Sequence, residues 1–162
     1  MARILLPDPS GLGEHVDWSL HRPEMATGMG QLSAAVYGNS RLPLREREAA
    51  RWIIALINHC EVCQDTRVAA ADAHQVDDEF YGAVASWATS EGLSVREKLA
   101  AEFAQLFALD HQAMDDAFWE RLRGAYDDDE VADLLICCGM FLGLGRAMAV
   151  VGVPAPPNRI LL

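Results

Sequence analysis

The amphipathic segment that leads into two cysteines constrains the fold more than any other feature of this sequence. Apolar side chains recur at helical spacing over residues 44–56, and the C-x-x-C pair Cys60 and Cys63 follows directly. In one straight helix, Glu48 and Cys60 would lie about 18 Å apart along the axis and could not share a site. A functional site therefore requires a break near Asn58 and a reversal of the chain, which would put both cysteines on the opening turn of a new helix.

The cysteine pair is a candidate redox centre. Thiolate is the reactive form of cysteine, and a helix N-terminus lowers the pKa of a thiol. The pattern after the pair predicts a helix over residues 61–75, and the reversal would return Arg67 alongside Glu48. Glu48, which precedes the first cysteine by twelve residues, could then serve as a base.

Glu48 is a polar residue within an apolar stripe, one turn after Leu44. The charged residues around it are predicted to face solvent: Arg45, Glu46, Arg47 and Arg51. Because burial of an unpaired carboxylate is costly, Glu48 is expected to have either a function or an arginine partner.

Nine residues near the middle of the chain repeat the start of this helix. L-P-L-R-E-R-E-A-A at 42–50 and L-S-V-R-E-K-L-A-A at 93–101 are identical or similar at seven of nine positions. The repeat predicts two related helical units and places Leu99 where the first unit has Glu48. An apolar residue is an alternative at this position, which favours a functional reason for Glu48.

The remaining patterns predict a single all-α domain. Helices are expected over residues 23–37, from about 42, and over 77–87, 94–109, 115–125 and 127–151. Ser94 and Glu97 match a capping box. The acidic runs at 77–79 and 127–130 match helix N-terminal caps better than a calcium loop.

Three parts are distinguished along the chain. Residues 1–22 are interpreted as an N-terminal arm, residues 23–154 as the helical domain and residues 155–162 as a C-terminal tail that lies across a neighbour. The arm is expected to dock through Leu5, Leu6 and Trp18. Its histidines, His15 and His21, are expected to have no catalytic role.

Charge and cysteine usage exclude several classes of partner. With 24 acidic and 13 basic residues the formal net charge is −11, which argues against nucleic acid or an anionic membrane. No signal peptide is visible, and the apolar run at 131–153 is broken by charged residues and glycines, so it predicts a buried helix. Paired cysteines in such a chain predict a cytoplasmic redox or metal protein. The vicinal Cys137 and Cys138 are expected to pack as small apolar groups, and no metal or cofactor is predicted.

The segment N-H-C-E-V-C, with Glu48 upstream, resembles the carboxymuconolactone decarboxylase superfamily and is most similar to its alkylhydroperoxidase D-like branch. R-L-P-L-R-E-R-E before the cysteines, S-V-R-E-K-L-A-A after them and G-R-A-M-A-V-V-G-V-P near the end extend the resemblance over about residues 22–154. It implies an all-α fold, a homo-oligomer (often a trimer or hexamer) and a dithiol that reduces a small hydroperoxide or disulfide. Another, unidentified thiol system would recycle that dithiol.

The resemblance also implies roles for individual residues. Cys60 and Cys63 would form the redox pair, and Glu48 would start the proton relay. The family pattern has a histidine where this chain has Arg67, and arginine stays protonated and cannot shuttle a proton. Arg67 can favour a thiolate or serve as a structural partner, and His59 can supply an acid or base or be a turn residue. The resemblance favours Cys63 as the attacking thiol, whereas helix position favours Cys60.

The predicted function is a thiol-dependent oxidoreductase, either a peroxidase or a disulfide reductase. One alternative is a non-catalytic or redox-responsive helical oligomer in which Arg67 has silenced the proton relay. A second alternative is a carboxymuconolactone decarboxylase-type lyase, which does not depend on a cysteine pair.

Overall fold

The computed structural model describes residues 2–68 and 71–156, and helices are its regular structure. The helices are α1 (Glu14–Asp17), α2 (Pro23–Asn39), α3 (Leu44–Ile57), α4 (Glu61–Asp65), α5 (Ala71–His74), α6 (Asp78–Ala85), α7 (Val95–Leu109), α8 (Asp116–Ala125) and α9 (Asp128–Val151), with 3-10 turns at Trp18–His21 and His111–Ala113. The prediction of an all-α fold is confirmed. The predicted tail at 155–162 lies mostly outside the described residues.

The core is built around α3 and α7, the two helices that carry the repeated sequence. They form the most extensive helix pair, and α3 also packs against α9 and α6. The alanines shared by the two repeats, Ala49, Ala50, Ala100 and Ala101, have no exposed surface, which allows the two backbones to approach closely. Both helices begin at the same position of the repeat, one at Leu44 and the other at Val95.

Reciprocal ion pairs join the two repeats. Arg45 of α3 pairs with Glu97 of α7, and Arg96 of α7 pairs with Glu46 of α3 at 2.8 Å. The same arginine–glutamate dipeptide therefore donates and accepts in each unit. This pairing corrects the prediction that Glu46 faces solvent: Glu46 is buried because α7 covers it and supplies its cation.

The predicted helix caps are confirmed. Ser94 and Glu97 form a capping box on α7, and Asp127 forms another on α9 with Glu130. Asp77 caps α6 by accepting a hydrogen bond from the backbone N–H of Phe80 at 2.9 Å. The acidic runs thus satisfy the free N–H groups of helix starts.

The predicted break after α3 is confirmed at Asn58 and His59. The backbone N–H of His59 donates to Leu56 O at 3.1 Å, and that of Cys60 donates to Ala55 O at 3.2 Å. These two bonds, with His59 in the left-handed region at φ 49°, form a Schellman motif that ends the helix and turns the chain.

The prediction of one helix over residues 61–75 is wrong. Helix α4 ends at Asp65, and Thr66 is extended, with α5 following at Ala71. Arginine side chains take carbonyls that a longer α4 would use: Arg51 donates to Cys63 O and Thr66 O, and Arg67 donates to Gln64 O and Thr66 O. The helical pattern was overridden by these tertiary hydrogen bonds.

The N-terminal arm docks onto the cysteine turn through Trp18. This side chain packs against a small cluster formed by Cys60, Val62 and Val153, separate from the main core. The backbone N–H of Arg3 also donates to Val151 O at 2.6 Å. Leu5 was predicted to help docking, but its surface is 87% exposed.

Helix α9 is long and apolar enough to cross a membrane by length and composition alone, but one such helix is weak evidence for a span. It packs against α2, α3, α7 and α8, with Leu134, Cys138 and Phe141 buried. Its most apolar window is 33% buried, so the predicted burial of residues 131–153 is partial.

Candidate redox site

The two cysteines of the C-x-x-C pair are joined by a disulfide at the start of α4. Cys60 is the N-cap residue, and its sulfur accepts a hydrogen bond from the backbone N–H of Cys63 at 3.2 Å. Their environments differ. Cys60 is 1% exposed in the small apolar cluster, whereas Cys63 is partly exposed. The turn therefore presents one sulfur outward and seals the other inside.

A cavity of about 320 Å³ opens beside Cys63. Its wall combines the arm, α2, the ends of α3 and α4, and α9. Most of its side chains are apolar, among them Trp18, Met29, Met140, Phe141, Leu144 and Met148. Four of its residues are titratable: His15, Tyr37, Arg51 and Cys63. Cys60 does not line it, so the cavity gives a small molecule access to Cys63.

Glu48 is buried next to this site and is fully paired. Its side chain is 1% exposed. Both carboxylate oxygens accept from Arg51 Nε at 2.9 Å, and one also accepts from the Tyr81 hydroxyl at 2.8 Å. Burial and the charge of Glu48 raise the pKa of Tyr81 to about 12, so this hydroxyl remains a donor at neutral pH. The prediction that Glu48 faces the core is confirmed.

Arg51, rather than Arg67, is the partner of Glu48. Burial alone would lower the pKa of Arg51, but the charge and hydrogen bonds of Glu48 outweigh burial and raise this pKa above its ordinary value. Arg51 also donates to Cys63 O at 2.7 Å and to Thr66 O at 3.2 Å. The prediction that Arg51 lies on the solvent side is wrong, because its guanidinium bridges Glu48 to the cysteine turn. It is 3% exposed.

Arg67 contacts Tyr81, which is hydrogen-bonded to Glu48, and does not pair with Glu48 itself. Its guanidinium stacks over the ring of Tyr81, at 4.5 Å, and over Trp52, at 5.1 Å. It pairs with Asp78 at 3.4 Å instead of with Glu48. The prediction of a Glu48–Arg67 contact is therefore wrong, and Arg67 is not among the residues that line the cavity.

His59 occupies the turn and not the cavity. It is the left-handed residue of the Schellman motif, and its side chain is exposed. Among the residues that the structure describes, the wall of the cavity does not include it. The structure supports the turn interpretation of His59, since histidine is enriched among non-glycine residues with positive φ.

Gly145 of α9 lets that helix pass close to the cysteine turn. A Cβ atom at this position would lie 3.2 Å from Cys63 Sγ and 2.9 Å from Asn58 Nδ2. Asn58 Nδ2 itself donates to Leu142 O at 3.2 Å, and Arg146 Nε donates to Asn58 Oδ1 at 2.9 Å. The absence of a side chain at Gly145 thus allows the turn and α9 to be tied together.

The family is identified by sequence over half of the chain. The family model described as the carboxymuconolactone decarboxylase family matches residues 23–106. The chain belongs to the carboxymuconolactone decarboxylase family. The match includes α2, α3 and the cysteine turn, as well as most of α7. No curated protein matches this chain in sequence.

Solved structures share the fold of this family member. An alkylhydroperoxidase AhpD core, an uncharacterized peroxidase-related protein from Ralstonia eutropha, aligns with a TM-score of 0.78 at 16% identity, covering 96% of this chain and 93% of that chain. An uncharacterized peroxidase-related protein from a Silicibacter species gives 0.77 at 18% identity, with 89% and 76% covered.

A third structure has the same fold, a protein of unknown function from Agrobacterium tumefaciens described as a putative antioxidant defence protein AhpD. Its TM-score is 0.74 at 16% identity, with 88% of this chain and 97% of that chain covered. At these identities the likeness shows the alkylhydroperoxidase D-like fold.

Sequence reasoning missed three residues of the site. Arg51 follows Glu48 at i+3, a spacing that puts both on one helix face and could have identified the pair. Tyr81 and His15 come from distant segments and carry no comparable local signal. In the described part of the chain, no group of three or more histidine, cysteine, aspartate or glutamate side chains could hold a metal ion.

Proposed function

We propose that this protein is a thiol-dependent peroxidase that reduces small organic hydroperoxides with Cys63 as the attacking thiol and Cys60 as the resolving thiol. The observation that carries the proposal is the asymmetry of the pair: Cys63 lines the cavity, whereas Cys60 is sealed in an apolar cluster. A substrate in the cavity can meet Cys63, and Cys60 is close enough to form the disulfide.

The proposed reaction consumes one hydroperoxide and the two thiols. The Cys63 thiolate attacks the terminal oxygen of the hydroperoxide and breaks the O–O bond, which yields a sulfenic acid on Cys63 and an alkoxide that takes up a proton. The Cys60 thiol then attacks the sulfenic sulfur, water leaves, and the disulfide forms. A dithiol reductant from another thiol system returns both cysteines to the reduced state.

The Glu48–Arg51 pair supports this reaction electrostatically. Arg51 remains charged, donates to Cys63 O and lines the same cavity as Cys63, so its positive charge favours ionisation of that thiol. Glu48 holds Arg51 in place through two hydrogen bonds. We therefore propose that Glu48 orients Arg51, a role that replaces the relay base expected from the family resemblance.

A single-turnover experiment tests the proposal. The reduced protein is mixed with tert-butyl hydroperoxide in a stopped-flow instrument, and disulfide formation and free thiols are followed. Wild type should form the Cys60–Cys63 disulfide at a rate proportional to hydroperoxide. Cys60→Ser should stop at a sulfenic acid on residue 63 that a dimedone-type reagent traps, and Cys63→Ser should be inert.

The vicinal cysteines of α9 provide the control. Both are buried, and burial raises the pKa of Cys137 to about 11 and that of Cys138 well above its ordinary value. Replacing both with serine should leave the single-turnover rate within about twofold, because neither thiol ionises near neutral pH. Trapping on residue 60 in Cys63→Ser would reverse the assigned order, and inert wild type would favour the non-catalytic oligomer.

A homo-oligomer in the cytoplasm remains part of the proposal. Leu135 and Ile136 of α9 and Leu32 of α2 are large apolar side chains between 41% and 54% exposed, and association would cover such residues. Light scattering on the purified protein tests this part: a monomer at micromolar concentration contradicts it.

A further inference from the structure

The cavity beside Cys63 contains an imidazole from outside the C-x-x-C segment. Among the described residues of its wall, His15 is the one histidine, and it comes from the N-terminal arm. The arm holds it firmly. Trp18, which is packed on the cysteine turn, donates from Nε1 to His15 O at 3.1 Å, and buried Asp17 accepts from the Ser10 hydroxyl at 2.5 Å.

One nitrogen of His15 has no partner. Its Nδ1 atom is enclosed and makes no hydrogen bond to any described residue. Buried polar atoms without a partner are uncommon, so the ring of His15 keeps an unused capacity for a proton. Gly13, two residues before His15 and at φ 96°, allows the imidazole to pack against the backbone of the arm, because a Cβ at residue 13 would lie 3.0 Å from His15 Nδ1.

Besides His15 and the reacting Cys63, the titratable groups on the wall cannot exchange protons near neutral pH. Burial raises the pKa of Tyr37 to about 12, and the pKa of Arg51 is raised above its ordinary value by Glu48 despite burial. Burial lowers the pKa of His15, and the nearby Asp17 carboxylate opposes that shift. His15 is therefore mainly neutral at pH 7 and free to accept a proton.

We propose that His15 is a catalytic residue of this site, which takes the proton of the Cys63 thiol and delivers it to the alkoxide that leaves the hydroperoxide. The inference rests on the proposed peroxidase function. In the family pattern a histidine stands at the position of Arg67, and His15 would supply the proton carrier that this chain lacks there. His15 lies outside the residues that match the family model.

The step balances as a proton transfer coupled to oxygen transfer. The neutral imidazole accepts the thiol proton and becomes an imidazolium ion beside the thiolate. The thiolate attacks the terminal oxygen, the O–O bond breaks, and the leaving alkoxide takes the proton from the imidazolium. The products are the alcohol, the Cys63 sulfenic acid and a neutral His15, ready for the next turnover.

Two oxidants of similar size separate this role from a structural one. Ethyl hydroperoxide releases ethoxide, which needs a proton, whereas peracetic acid releases acetate, which needs none. We expect His15→Gln to lower the single-turnover rate constant with ethyl hydroperoxide by about 10²-fold, within the usual range for general acid–base catalysis. The ratio of the rate constants for ethyl hydroperoxide and peracetic acid should fall at least about tenfold.

The second arm histidine is the matched control. His21 is exposed, bonds to Leu5 O at 2.7 Å through Nε2 and does not line the cavity, so His21→Gln should keep the wild-type ratio. His15→Asn is the second variant, because its amide nitrogen can occupy the Nδ1 position if glutamine disturbs the arm. It should lower the ratio in the same way.

The outcomes distinguish the two proposals. If wild type reacts with ethyl hydroperoxide and His15→Gln and His15→Asn keep the wild-type ratio, the role of His15 is overturned and the peroxidase function stands. A parallel loss with both oxidants means that the leaving alkoxide takes no proton from His15, which also overturns the inference. If wild type reacts with neither oxidant, the peroxidase function itself fails.

Discussion

The two repeated units of this molecule share a helical frame and differ in chemistry. In the first, α3 ends in a Schellman turn, α4 carries the disulfide and α6 begins at Asp78. In the second, α7 starts at the same point of the repeat, a 3-10 turn at 111–113 stands in place of α4, and α9 begins at Asp128. Reciprocal ion pairs between the first turns of α3 and α7 hold the two frames together.

A few positions separate the unit that carries the disulfide from the other unit. Counting along the repeat, Glu48 corresponds to Leu99 and Arg51 to Glu102. Both members of the first pair are buried against each other, whereas Leu99 lies in the apolar core and Glu102 bonds to the half-exposed Arg121. The comparison teaches that the frame is supplied by shared residues and the site by the positions where the units diverge.

The largest effect is expected at the buried pair. Arg51→Met should lower the free energy of unfolding by about 3–5 kcal/mol, because it leaves Glu48 buried without a counter-ion. The double variant Glu48→Leu/Arg51→Met, which copies Leu99 of the second unit, should recover most of that loss. Urea denaturation measures both.

The second unit supplies the control for the buried pair. Glu102→Gln removes an exposed pair and should change stability by less than about 1 kcal/mol. If Arg51→Met also lowers the free energy of unfolding by less than about 1 kcal/mol, the two pairs contribute equally and the contrast between the units is wrong.

The ion pairs that Arg45 forms with Glu97 and Arg96 forms with Glu130 should govern acid stability. Burial would raise the pKa of Glu97, but hydrogen bonds from Arg45 and Ser94 lower it below its ordinary value of 4.5. Hydrogen bonds from Arg96 lower the pKa of Glu130 in the same direction. Their stabilisation is complete above pH 4.5, the pKa of the unfolded state, and is lost as pH falls through the lower folded-state values.

Arg45→Met and Arg96→Met test this acid dependence. Each should cost about 1–3 kcal/mol at pH 7, because each leaves a buried carboxylate without its arginine donor. Arg96→Met should cost more, since Arg96 holds both Glu46 and Glu130. Urea midpoints measured between pH 7 and 3 should fall less steeply below pH 4.5 in either variant than in wild type. An unchanged slope would exclude the pairs as its source.

At Gly145, α9 of the second unit lies directly against the cysteine turn of the first unit. Gly145→Ala should destabilise the protein by about 1–2 kcal/mol, because the added methyl group overlaps Asn58 Nδ2 and crowds Cys63 Sγ. Gly143→Ala, where no atom of the described residues lies within 4 Å of the added methyl group, should instead stabilise the helix by about 0.5–1 kcal/mol. The unfolding temperatures of the two variants measure these effects, and equal shifts of the two temperatures would contradict the close contact at Gly145.

The smallest effect is expected at the turn itself. His59→Gly should stabilise the protein by about 0.5 kcal/mol, since relief of the left-handed conformation outweighs the entropy of glycine. Asp110→Gly, at the corresponding position with φ −157°, should destabilise it by about that amount. The single-turnover rate of His59→Gly with a hydroperoxide should equal that of wild type. A clear loss of rate with intact folding would restore His59 to the site.

Apart from the single helix expected over residues 61–75, the sequence predicted the helices, the break after α3 and the burial of Glu48, because each depends on local spacing. It failed where a side chain is fixed by a distant segment. Glu46 and Arg51 were assigned to solvent, yet α3 is covered on several sides, so the face opposite its apolar stripe is also buried. His15 could not be predicted, since no periodicity shows where an irregular arm docks.

The separation of Cys60 from the main core determines how its sulfur can be reached from outside. Cys60, Val62, Val153 and Trp18 form a small unit of structure at the meeting of the arm, the cysteine turn and the end of α9. Such peripheral units open by local fluctuation at a fraction of the global unfolding free energy. We expect backbone amides there to exchange hydrogen before those of α3 and α7. The rate at which a bulky reductant reaches the inner sulfur would then be set by the frequency of this opening.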